Sequence, residues 1–192
     1  MLLNNFRRVL VNTILDDLGL SQIKGMTGEL KSTGGAVFKP ASQAYMKSPL
    51  INGLSSDCGI YTDAGNYDST SIPTSPFAFQ GGQIFLGTGN VTPTIDDYKL
   101  SGELVTGLTS QEKSTTANNN SITFSAMATN NTESPVTIKE IGLGGYNTSS
   151  TPCVFLLTRD VLTTPVTLNV GDSKIFSITI DFRSLTDTTV NE

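Results

Sequence analysis

Apolar and polar residues alternate with two different periods along the chain, and each period marks a different kind of element. Near the start, Phe6, Val9, Leu10, Ile14 and Leu18 recur three and four positions apart, which places them on one stripe of a helix. Asn4 or Asn5 can cap its start, and Gly19 suits the left-handed turn after its end. Arg7 and Arg8 lie near the start and Asp16 and Asp17 near the end, opposite to the preference of the helix dipole. Such a helix is weak alone and needs a surface to dock on, either its own β-domain or a neighbouring subunit. From Gln83 onward the period is that of strands. Candidate strands cover 83–86, 98–108, 121–128, 136–141, 154–158 and 173–182. In the last, Ile178, Ile180 and Phe182 share one face and Ser177, Thr179 and Asp181 the other, the pattern of a half-buried antiparallel strand. Asn118-Asn119-Asn120, Asn130-Asn131 and Val170-Gly171-Asp172 supply turn chemistry between strands.

Residues 21–83 follow neither period. Glycines and prolines punctuate the region, and Ala36-Val37-Phe38 and Gly59-Ile60-Tyr61 are its clearest short strand candidates. Phe38, Tyr45, Tyr61 and Phe77 are costly to leave in water, so this segment reads as an arm that packs across a neighbour or forms small hairpins. The expected organisation is a docking helix at 1–20, an irregular insertion at 21–83, an antiparallel β-sandwich at 84–184 and a tail at 185–192, mainly β in class. Removing residues 1–20 is expected to leave the sandwich folded.

Composition narrows the chemistry. Of the 192 residues 37% are hydrophobic and only 15% charged, so the polar surface is built from Ser, Thr, Asn and Gly, which suits exposed β-structure. A net charge of −5 argues against a nucleic-acid backbone as partner. The chain has no histidine, which removes the commonest general base and metal ligand. Cys58 and Cys153 are too few and too far apart for a zinc site, and read as reduced, partly buried thiols. Arg7 and Arg8 follow the apolar start, unlike a secretory leader, and no apolar run is long enough for a bilayer. Synthesis in a cytoplasm, with no membrane partner, is the expectation.

No motif points to catalysis, a cofactor or a metal. Gly87-Thr88-Gly89 lacks the Lys-Ser/Thr pair of a phosphate loop and is followed by a Thr/Pro turn. Asp96 and Asp97 lack the spaced carboxylates of a calcium loop and read as turn or capping residues. Glu140 and Arg159 are charges embedded in apolar strands, and a salt bridge between neighbouring strands is the expected reason. Tyr61, Tyr67, Tyr98 and Tyr146 offer rings for sugar stacking, without the tryptophan usual in such platforms.

In order, Gly87-Thr88-Gly89, Thr92-Pro93-Thr94, Asp97, Leu100, the strand 138–143 with Glu140 and Gly142, Arg159, Pro165-Val166 and the terminal strand 175–182 resemble a family of bacteriophage virion proteins described as tail-fibre-like, collar or head-fibre proteins. The N-terminal helix is similar too, whereas the 21–83 insertion is longer than the resemblance leads one to expect. The resemblance implies a non-enzymatic β-sandwich that forms homo-oligomers and attaches to other virion proteins of the portal, neck, tail, fibre or capsid. The expected location is the virion. Gly87, Gly89, Glu140, Gly142 and Arg159 would be scaffold residues, with the helix and insertion making the specific contacts. Two variants of this reading are a capsid-surface decoration protein and an adhesin that binds host glycans through the 144–152 or 109–120 loops.

Overall fold

The computed structural model describes residues 1–6, 30–38, 58–70, 80–118, 120–147 and 153–181. They are mainly β. A two-stranded antiparallel hairpin joins β1 (Leu30–Lys31) and β2 (Val37–Phe38), and the short α1 (Ala64–Tyr67) follows β3 (Gly59–Ile60). The remaining strands are β4 (Gln80–Gly87), β5 (Leu108–Ala117), β6 (Ser121–Asn130), β7 (Val136–Asn147), β8 (Cys153–Leu168) and β9 (Ser173–Asp181). They form a four-stranded sheet in the order β3-β4-β7-β8 and a three-stranded sheet in the order β5-β6-β9.

The four-stranded sheet is mixed, because β3 runs parallel to β4. This corrects the wholly antiparallel expectation. Residues 61–79 between the two strands supply a connection of the length that a parallel crossover requires. Within the 21–83 region the two short strands read from the sequence are present, but the described parts are no separate arm. Leu30, Cys58 and Ile60 are buried in the main core. Tyr61, expected at an interface, is buried at a 4.7 Å centroid distance from Phe85. Phe38 lies in β2, while Tyr45 and Phe77 fall outside the described residues.

Side-chain alternation explains how the core is divided. Ile84 and Leu86 of β4 and Phe155 and Leu157 of β8 join Phe124, Ala126, Phe176 and Ile180 of the three-stranded sheet in one cluster. The intervening Phe85, Val154 and Leu156 point the other way, into a second cluster with Leu3, Tyr61, Tyr67 and Leu100. The four-stranded sheet is therefore covered on both faces. The outer face of the three-stranded sheet is solvated, and its cross-strand hydroxyls pair as Thr123–Thr179, Ser125–Ser177 and Thr129–Ser173 at 2.7–2.8 Å.

Chain turns use side chains where the backbone lacks partners. The buried Asn130 donates to the carbonyls of Ser134 and Leu168, and its Oδ1 accepts from Thr132 N, closing the β6–β7 connection. The N-terminal chain is helical at residues 4–6, and Leu3 just before them and Phe6 within them are already buried in the fold. The rest of the stripe, Val9, Leu10, Ile14 and Leu18, lies outside the described residues. Cys58 and Cys153 are buried and not joined in a disulfide, and burial pushes the Cys58 thiol up to about 12 despite the opposing charge of Lys113.

Candidate functional site

Glu140 on β7 and Arg159 on β8 come together because of strand register. Gly142 is paired with Arg159 on one side and with Phe85 on the other, and Glu140 is paired with Gly87. All these positions share the face of the second cluster. A charged pair is thereby placed where the neighbouring positions are glycines. The expected salt bridge is present, with Arg159 Nε donating to Glu140 Oε2 at 2.7 Å, and both side chains fully buried.

The carboxylate then reaches past the sheet to the loop that follows β4. Gly89 N–H and Gly102 N–H donate to Oε1 at 3.0 and 2.8 Å, while Ser101 donates its N–H and its hydroxyl to Oε2 at 3.0 and 3.1 Å. With Arg159 this makes five donors on one carboxylate. Arg159 completes its own set with Asp97 and with the carbonyl of Val91 at 2.6 Å. Asp97 in turn closes a turn by accepting from Thr94 N at 3.0 Å and Thr94 Oγ1 at 2.8 Å, the role expected for it.

The glycines are explained by this crowding. A Cβ on Gly89 would overlap Ser101 Oγ, Gly102 N and Glu140 Oε1, and one on Gly142 would sit 2.7 Å from Leu156 Cδ1 and the Thr158 carbonyl. Gly87, Gly89, Glu140, Gly142 and Arg159 thus belong to one site. Its remaining contributors carry no charge or motif. Tyr67 accepts from Leu100 N at 2.8 Å, and burial pushes its phenol up, so the hydroxyl stays protonated. Asn4 N donates to the Ile95 carbonyl at 2.9 Å. The loop at 88–104 is consequently fastened from inside by Glu140 and Arg159 and from outside by Asn4 and α1.

Chemically this is an anchor. Every Glu140 oxygen is occupied by donors, and the residue is inaccessible to solvent. Burial would raise its pKa, but the N–H groups of Ser101 and Gly102 and the Arg159 guanidinium outweigh it and hold the carboxyl below its usual range. Asp97 behaves likewise, its burial being outweighed by Thr94 and Arg159. Among the described residues no three His, Cys, Asp or Glu side chains are grouped to hold a metal ion, and no helix is long and apolar enough to cross a membrane. Of the four rings weighed for sugar stacking, Tyr61 and Tyr67 are buried against Phe85, and Tyr98 is covered by Lys31 Nζ at 3.7 Å.

The anchor has a pH signature. A carboxylate whose pKa is depressed by folding stabilises the protein above its unfolded pKa, and that contribution is lost as pH falls through the folded value. The melting temperature should therefore be level above about pH 5 and fall progressively below about pH 4. Glu140→Gln should start lower and show a shallower acid limb in thermal melts across that range. An unchanged acid limb would place the titrating groups elsewhere.

No family model, curated protein or solved structure matches this chain.

Proposed function

We propose that the chain is a non-enzymatic structural subunit of a bacteriophage particle, a β-sandwich that oligomerises and joins the neck, tail or fibre-anchoring apparatus. The observation that carries this reading is the convergence of its resemblance residues. Gly87, Gly89, Asp97, Glu140, Gly142 and Arg159 lie far apart in sequence, yet they build one buried anchor. Residues that serve folding in this way mark a scaffold and leave the specific task to other segments. The two sheets sharing one core support the sandwich, and the solvated face with its Ser/Thr pairs suits a rigid building block. Attachment falls to the helix stripe beyond Phe6 and, within 21–83, to the stretches that carry Tyr45 and Phe77.

Imaging and protein analysis of purified particles test this directly. The wild-type chain should be present at fixed copy number. A Leu10→Asp/Ile14→Asp variant should remain folded by circular dichroism but be missing from particles. Normal incorporation of that variant would remove the helix from the attachment surface. Absence of the wild-type chain from particles would remove the virion role itself.

A further inference from the structure

Exposed sheet edges invite pairing with another chain, and proteins that must stay apart protect them. Most edges here are protected. β8 is covered by the N-terminal residues and the β1–β2 hairpin: Leu3 N donates to the Leu157 carbonyl at 3.0 Å, Arg159 N donates to the Met1 carbonyl at 3.1 Å, and Thr33 N donates to the Val154 carbonyl at 2.9 Å. Farther along β8, pairing with β7 skips from Val161 to Val166, and Pro165 interrupts the edge. β5 carries a register shift between Gln111 and Ser114, with Glu112 at a φ of 46° and Lys113 beside it. β3 is two residues long, and Ile60 N donates to Ser110 Oγ of β5 at 2.9 Å.

β9 differs. Its nine residues pair with β6 without a shift, it contains no proline, and among the described residues no strand lies along its other edge. The direction of its backbone groups can be worked out. Asn130 N donates to the Asp172 carbonyl, so by antiparallel alternation the even-numbered residues of β9 bond to β6. Ser173, Ile175, Ser177 and Thr179 then aim their N–H and C=O groups outward. The Ile175 side chain is 56% exposed on the same strand. Two grooves flank the edge, one of ≈ 460 Å³ beside Thr164 and Pro165, the other of ≈ 250 Å³ beside Met1, Leu2 and Asp160.

We infer that β9 is a self-association edge, and that its occupant is the β9 of a second copy, paired antiparallel about a two-fold axis at Ser177. The strand is self-complementary in this register. Ser177 meets its own copy, Ile175 lies opposite Thr179, and the outward backbone groups of both strands become donors and acceptors for each other. In this register Lys174 lies opposite Ile180 and Asp181 opposite Ser173, so no like charges are opposed across the seam. The three-stranded sheets of two copies become one continuous six-stranded sheet, and the hydroxyl rows of the outer face run on across the axis. The inference rests on the reading of the chain as an assembling subunit and names the surface used.

Sedimentation of the purified full chain tests it. The wild type should sediment at twice the mass of the 20.4 kDa chain. Ser177→Pro removes an outward N–H without touching the β6 ladder, and Ile175→Lys places a charge on each side of the seam. Both should be folded monomers. Ser177→Cys should give a covalent dimer under diamide, because directly opposed residues lie at about 5.5 Å between Cα atoms, within disulfide reach. A wild-type oligomer that persists in both of the first two variants, with no cross-link formed by the S177C protein, overturns the edge and leaves the assembling role standing. A wild-type monomer also overturns the edge, and particle composition then decides the virion role separately.

Discussion

Glu140→Ala should cost about 3–5 kcal/mol of folding stability, the range for breaking a buried ion pair by removing one partner. That is a fifth or more of what a domain of this kind has to lose, about 5–15 kcal/mol. Loss of the carboxylate strands four groups at once besides Arg159: the N–H groups of Gly89, Ser101 and Gly102 and the Ser101 hydroxyl. Arg159→Met should cost less, by about 1 kcal/mol or more. In that variant Glu140 keeps its four loop donors, and a carboxyl can take up a proton to shed its charge. Arg159 without Glu140, by contrast, still holds Asp97 and the Val91 carbonyl but cannot become neutral. The double variant should lose less than the sum of the two, with a coupling of about 1–3 kcal/mol. Urea unfolding of the three variants at neutral pH measures all of this. Equal single losses, or strict additivity, would mean that the ion pair and the loop are held independently.

Strands that alternate against a core are legible in the sequence. β6 and β9 appear where Ile122, Phe124 and Ala126, and Ile178 and Ile180, mark one face. β5 is not legible, and 109–120 reads as a loop. Apart from Leu108 its side chains are exposed or half-buried, so no apolar period records it. What makes it a strand is the ladder to β6, a tertiary cause that leaves no trace in local pattern. The reverse holds at 98–108. Leu100, Leu104, Val105 and Leu108 look like strand residues, yet only Leu104 forms a bridge, to Gly87, and the segment is loop up to Leu108. Those side chains are apolar because they fill the two clusters from a loop pinned by Glu140.

The site shows the same division. Glu140 and Arg159 stand out because a charge in an apolar run demands a partner, and Gly87, Gly89 and Gly142 because their order matches a pattern. The partners on the other side of the bonds are not legible. Gly102 and Ser101 contribute backbone N–H groups and Val91 a carbonyl, which every residue has. Tyr67, Asn5 and Asn130 escape notice for a related reason. A buried amide or phenol that satisfies backbone groups looks, in sequence, like any polar loop residue.

Removing residues 1–6 should unfold or grossly destabilise the domain, contrary to the detachable arm expected at the N-terminus. Leu3 and Phe6 are 0% and 1% exposed, and they enter different clusters, one on each side of the four-stranded sheet. Truncating such residues costs about 2–5 kcal/mol for Leu and 3–5 kcal/mol for Phe. Asn5 adds a polar cost, because its side chain donates to the Lys31 and Leu156 carbonyls at 2.8 and 3.1 Å and accepts from Lys31 N at 3.0 Å. Without it the β1–β2 hairpin loses one of its ties to β8 and keeps that of Thr33. Deletion also strips the cover from the β8 edge and opens it to aggregation. The sum reaches the whole stability of an ordinary domain. Phe6→Ala alone should lower the melting temperature by about 10 °C, at about 2–4 °C per kcal/mol for a chain of this size, and Phe6→Leu by much less. If the truncated chain melts cooperatively at the wild-type temperature, the arm is detachable after all. If it does not, any segment that reaches a neighbouring subunit begins after Phe6, and the stripe left for that contact is Val9, Leu10, Ile14 and Leu18.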